Sequence, residues 1–194
     1  MTAIANSIDL TNHFLIAMPG MADPHFSKTL TYICEHTPQG AIGLIVNKPM
    51  AMHITLASLF DQVAITLPSA DLRLRETSVL YGGPVLMDRG FVLHQPVGDW
   101  HSTLKVTENT GLTTSRDILE SIAKGEGPGR ILVTLGYAGW GPGQLEDEIG
   151  RNGWLNTPAS TNLMFDLPYE ARLTAAMGLM GLNYGNLIDT AGHA

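Results

Sequence analysis

A single cysteine among 194 residues cannot close an internal disulfide, so the setting expected for the chain is reducing and cytoplasmic. Positive charge is sparse as well. Eleven Lys and Arg stand against 18 Asp and Glu, a formal net charge of −7, and the nearest basic pair is Arg73 and Arg75. Binding to phosphates needs clustered cations, so direct contact with nucleic acid is not expected. An anionic membrane surface is disfavoured on the same ground. Long apolar runs are missing too. Phe14 to Met18 breaks at Pro19-Gly20, far short of the roughly 20 residues that span a bilayer. Residues 1–10 hold no basic stretch and carry Asp9, so a secretory leader is not expected.

The hydrophobic share is 44% and the charged share 15%, enough apolar material for a packed core and too little charge for a disordered tail. The 21 glycines and 11 prolines point to many turns and short elements. The domain reading is a flexible arm over 1–12 and a single domain over 13–194.

Strands are predicted for His13 to Met18 and for Lys28 to His36. The turn Thr37-Pro38-Gln39-Gly40 and the apolar run Ala41 to Val46 make the second of these a hairpin. Leu56, Leu59, Phe60 and Val63 recur at helical spacing behind Thr55 as N-cap. Residues 68–77 read as an exposed loop, with strands at 78–81, at 90–94 and near 102–106. Thr114 to Asp117 resembles a helix start, followed by Ile118, Leu119 and Ile122 and ended by Lys124-Gly125. A central strand over 130–135 leads to a glycine-dense loop over 136–143 and a short helix over 144–152. A strand is predicted at 162–165 and a last helix after Pro168, with Leu173, Ala176, Met177 and Met180 on one face. The class that follows is α+β with a largely antiparallel, curved sheet.

Cys34 and His36 lie two apart on a predicted strand, which by simple alternation puts them on one face. An imidazole beside a thiol can stabilise a thiolate, with Gly82-Gly83 as an anion nest and His94 as a second base. The other reading of the same residues is a small buried hydrophobe beside a histidine that bonds the turn. The segment 136–143 lies between strand and helix but lacks the Lys-Ser/Thr of a phosphate loop, and Glu146, Asp147 and Glu148 would repel an anion there. Tyr137 and Trp140 either pack over the sheet or form an exposed contact. Gln144, Asp147 and Glu148 share a helix face and could hold a cation, although acids near a helix start are common for electrostatic reasons alone. Histidines 13, 25, 36, 53, 94, 101 and 193 show no zinc spacing, and no G-x-S-x-G occurs. No metal and no cofactor are expected.

Several blocks together resemble the AlgH/YqgE family of bacterial proteins. They are Asn12 to Met21, Tyr32 to His36, Gly40 to Pro49, Tyr81 to Val85, Gly90 to His94 and Gly136 to Glu146. The resemblance runs over roughly residues 12–190. It departs at Leu173, where the family usually has Trp, and at Asn183, where it often has Asp. It implies a bifurcated sheet curled into a pseudo-barrel with short helices around it, in a cytosolic protein without established catalysis. Some members carry the label of transcriptional regulator. The resulting expectation is an acidic cytoplasmic binding protein that influences transcription indirectly. A surface of Asn47, Gly82, Gly83, Tyr137, Trp140, Gln144 and Glu146 would engage a protein partner or small ligand. The alternative is a thiol-dependent enzyme or redox sensor using Cys34, with His36 or His94 as base. Both readings require the glycine-bearing turns to converge beside the thiol.

Overall fold

The apolar runs on either side of the Thr37–Gly40 turn pair as a hairpin, β2 (Leu30–Thr37) with β3 (Gly40–Ile45), and β1 (His13–Ala17) lies antiparallel to β2 on its other edge. These pairings come from a computed structural model that describes residues 8–68 and 70–191. The remaining strands are β4 (Leu80–Tyr81), β5 (Val85–Gln95), β6 (Thr103–Lys105), β7 (Gly111–Thr113), β8 (Arg130–Trp140) and β9 (Trp154–Pro158). The helices are α1 (Leu56–Gln62), α2 (Leu72–Glu76), α3 (Arg116–Ala123), α4 (Gln144–Gly150), α5 (Thr161–Asp166), α6 (Tyr169–Leu179) and α7 (Tyr184–Ala191).

The strands form one sheet in the order β6-β7-β5-β8-β3-β2-β1-β9, antiparallel except where the short β4 runs beside β8. The class is therefore α+β, a curled half-barrel with short helices around it. Strand β8 is the seam. Its first part pairs with β5 and its last residues, 138–140, pair with β3. Gly136 marks the change, with φ +76. A Cβ there would lie 2.3 Å from the Gly83 carbonyl oxygen, so no other residue fits. Leu132 and Tyr137 are five apart yet both pack on the same core, so one residue has been inserted between them and the alternation flips at Gly136.

Burial on both faces of the sheet explains the continuous apolar runs. One core holds Phe14 and Ile16 of β1, Leu93 of β5, Leu112 of β7 and Leu132 of β8, covered by Met164 of α5, Ala176 and Met177 of α6, and Leu187 of α7. Because it gathers side chains from both ends of the strand order, this is the concave face. The convex face carries two further cores. Val92 and Val133 pack under Leu56 and Phe60 of α1 and Ile118 of α3. Leu15, Ile33, Ala41 and Trp140 pack under Leu145 of α4. Buried Arg172 of α6 donates to the carbonyls of Val46 at 2.6 Å and Leu167 at 3.0 Å, which fixes that helix against the end of β3. Burial lowers its pKa to about 10.

Several sequence expectations differ from this arrangement. Residues 68–77 are not all loop, because Asp71 accepts from the Leu74 N–H and starts α2. The glycine-dense 136–143 is mostly strand, since its glycines let β8 continue under the Gly82–Gly83 crossing. Residues 162–165 are helical, because Ser160 accepts from the Leu163 N–H and caps α5. Strands β7 and β9 and helix α7 were not anticipated. Of the arm drawn over 1–12, residues 1–7 lie outside the described residues. Within the rest, Leu10 is buried and the Asn12 N–H donates to the Ile33 carbonyl. No helix among the described residues is long and apolar enough to cross a membrane.

Candidate functional site

The pairing of β2 with β3 skips a residue: Ile33 faces Gly43, Glu35 faces Ile42, and Cys34 between them has no partner. This β-bulge shifts the alternation by one. Cys34 therefore joins Tyr32 in the concave core, while His36 joins Ala41 on the convex face. The thiol is 1% exposed and lies 3.8 Å from the Tyr32 carbonyl. Burial, then the charge of Glu35, pushes its pKa well above the ordinary thiol value. His36 accepts the Leu10 N–H at Nδ1, 3.1 Å away. Its proton is thereby fixed on Nε2, which donates to Glu146 at 2.9 Å. The expected thiol–imidazole pair is not assembled; the bulge separates it across the sheet.

His94 is fully buried, and alternation places it with Val92 on the convex face. Its Nδ1 lies 2.9 Å from the Pro96 carbonyl and its Nε2 lies 2.7 Å from the Thr113 hydroxyl. Burial lowers its pKa, which favours the neutral ring with Nε2 accepting. His94 holds β5 to β7 and does not face Cys34.

Gly82 and Gly83 do meet the 136–138 segment, as the expected convergence required, but they fill the space between them. A Cβ on Gly82 would lie 2.2 Å from the Gly136 carbonyl oxygen, and one on Gly83 2.2 Å from the Tyr137 carbonyl. Both glycines are buried, so the crossing offers no open anion nest. Asn47 extends the sheet ladder with its side chain, accepting from the Leu30 N–H at 2.8 Å and donating to the Lys28 carbonyl at 3.0 Å.

Trp140 is 6% exposed and packs on the sheet, not outward as a contact surface. Its indole N–H donates to Glu148 Oε2 at 2.9 Å, and the Trp154 indole donates to the same oxygen at 2.8 Å. Gln144 donates to the other carboxylate oxygen at 2.9 Å and accepts the Gly141 N–H at 3.0 Å. Phe26 completes the aromatic group, 5.5 Å from Trp154 and 6.1 Å from Trp140 between ring centroids. These residues border a cleft of about 300 Å³ with Met21, Asp23 and Arg151 at its edges. Two of the three carboxylates of α4 are thus engaged by protein donors, Glu146 by His36 and Glu148 by the two indoles. Among the described residues no three His, Cys, Asp or Glu group to hold a metal ion.

Tyr137 belongs to a different opening, on the concave face. There Ile42 of β3, Tyr137 of β8, Phe91 of β5, Leu112 of β7 and Leu104 of β6 line a cleft of about 270 Å³. Five neighbouring strands contribute apolar side chains to it, β5 with Leu86 as well as Phe91. The cleft exists because β5 leaves the sheet: Val85 pairs with Tyr137 and Gly90 with Leu135, so residues 86–89 arch away. Leu86, at φ +49, and Met87 stand on this arch 48% and 46% exposed. Arg89, Ser102 and Thr114 supply the polar edge. Of these residues, only Tyr137 was singled out in the sequence. The available signal was the apolar pair Leu86-Met87 beside Asp88-Arg89, between Gly-Pro and Gly.

The model of a family described as AlgH-like matches residues 14–185. A UPF0301 protein of Nitrosospira multiformis is 57% identical over 188 residues, covering 97% of this chain and 99% of the relative. A UPF0301 protein of Azoarcus sp. is 55% identical over 188 residues, covering 97% and 98%. Among solved structures, the solution structure of the AlgH protein from Pseudomonas aeruginosa aligns over 100% of both chains with 45% identity and a TM-score of 0.77. A Corynebacterium diphtheriae protein solved by X-ray crystallography shares the fold at 17% identity, over 80% of this chain and 79% of its own, with a TM-score of 0.62.

Proposed function

The chain belongs to the AlgH-like family, and we propose that it works there as a small acidic cytoplasmic binding protein whose recognition site is the concave-face cleft around Tyr137. The observation that carries this reading is the open cleft lined by Ile42, Tyr137, Phe91, Leu112 and Leu104, beside an arch that itself exposes Leu86 and Met87. Concave apolar surface with a few polar groups at its edge is the usual form of a ligand site. The side chains that could have supplied chemistry instead serve the fold: Cys34 is buried, His94 holds two strands, and His36 links Leu10 to Glu146. Any influence on transcription then passes through a bound ligand or partner, in keeping with the net charge of −7.

The test is titration with Nile red, a neutral apolar fluorophore. The native chain is expected to give a saturable rise in emission, which Leu104→Asp removes while the far-ultraviolet circular dichroism is unchanged. An absent or non-saturable signal with the native chain would contradict the reading.

A further inference from the structure

The polar edge of the concave cleft holds a single charge. Arg89 lies on the arch, is exposed, and makes no ion pair among the described residues. Arg116, which borders a convex-side cleft with Arg89, is occupied. It reaches Glu120 at 2.9 Å and the Val63 carbonyl at 2.6 Å. Arg89 and Thr114 border both the apolar cleft, where Ser102 joins them, and this second cleft on the convex side, whereas Asp88 borders only the second. An apolar pocket with an unpaired guanidinium and two hydroxyl-bearing residues at one edge has the polarity of an amphiphile with a negative head.

From this geometry we infer that the cleft takes a small alkyl carboxylate, a medium-chain fatty acid, with its chain along Ile42, Phe91, Leu104, Leu112 and Tyr137 and its carboxylate on Arg89. The inference rests on the binding reading above and adds the class of ligand. A guanidinium meets a carboxylate through two parallel N–H donors, which a hydroxyl cannot match. The overall negative charge of the protein opposes an anion only weakly, because exposed charges farther away than about 8 Å are largely screened at physiological ionic strength. The two-pronged contact with Arg89 therefore decides the preference.

Displacement of Nile red by decanoate and by decanol separates the two levels of the argument. Decanoate is expected to compete about tenfold or more better than decanol, the usual scale of a charge-assisted hydrogen bond. Arg89→Gln should abolish that difference, with the competition of both probes referred to the Nile red affinity measured for the variant itself; as an exposed side chain without partners among the described residues it should not disturb folding. Arg89→Lys should restore part of the preference. Equal competition by the alcohol and the acid, or an unchanged preference in Arg89→Gln, would overturn the carboxylate inference and leave the binding reading standing. If Nile red itself does not bind, the binding reading fails and the inference falls with it.

Discussion

Trp140 and Trp154, on separate strands, donate their indole N–H groups to the same oxygen of Glu148, at 2.9 and 2.8 Å. Both rings are almost fully buried, so neither N–H has water to turn to. Glu148→Ala leaves two buried donors unpaired, at about 1–3 kcal/mol each. Chemical denaturation should show a loss of about 2–4 kcal/mol, with Glu148→Gln milder because its amide oxygen still accepts. A loss below about 1 kcal/mol would mean that the indoles find other partners.

Gly136 and Gly178 should respond oppositely to alanine. At Gly136 the new Cβ meets the Gly83 carbonyl oxygen at 2.3 Å with φ at +76, and at Gly178, inside α6, it meets nothing within 4 Å. Gly136→Ala should cost about 3 kcal/mol or more, or prevent folding, while Gly178→Ala should add about 0.5–1 kcal/mol. Thermal and denaturant unfolding of the two variants tests both signs.

The Cys34 thiol should react with a maleimide only as fast as the protein opens. Its burial and raised pKa both withhold the thiolate. Labelling should accelerate steeply across the urea transition, and Cys34→Ala should leave Nile red binding unaltered. Rapid labelling of the native chain would contradict the assigned burial.

His94 sets a pH dependence whose sign is fixed. Burial lowers its folded pKa below the unfolded value of about 6.5, so the unfolded chain binds the proton more readily. The stability contributed by the neutral ring is complete above the unfolded pKa. It declines as pH falls below that value and levels off beneath the folded pKa. An NMR titration of the ring should give an apparent pKa below 6.5, and denaturation at pH 8 should show higher stability than at pH 5.5. A ring pKa above 6.5 would reverse the assignment.

The fold class, the β2–β3 hairpin and the Thr55 cap of α1 were legible in the sequence because each rests on local chemistry. The capping geometry at Thr55 and Ser58 is an example. The bulge at Cys34 was not legible, since it leaves the apolar pattern intact and shows only in the pairing with β3. Gly136 to Gly143 read as a loop because glycine density marks turns and close backbone crossings alike. The run Asn162 to Phe165 is too short for periodicity to separate strand from helix, and the Ser160 cap decides it. Tyr137 was among the candidates read from the sequence, but its companions in the cleft come from four other strands far apart in sequence. The Arg89 edge depends on an arch whose local signal is the Leu86-Met87-Asp88-Arg89 run between Gly83-Pro84 and Gly90, while its place beside the cleft shows only in the pairing of β5 with β8.

The central claim is that the concave cleft is where this protein binds, and methyl NMR tests it most directly. On titration with Nile red, the methyl resonances of Ile42, Leu104 and Leu112 should shift together and saturate together, while those of Leu59 and Ile118 in the convex core stay in place. Shifts centred on Leu59 and Ile118, or saturable binding that leaves Ile42, Leu104 and Leu112 unmoved, would contradict it.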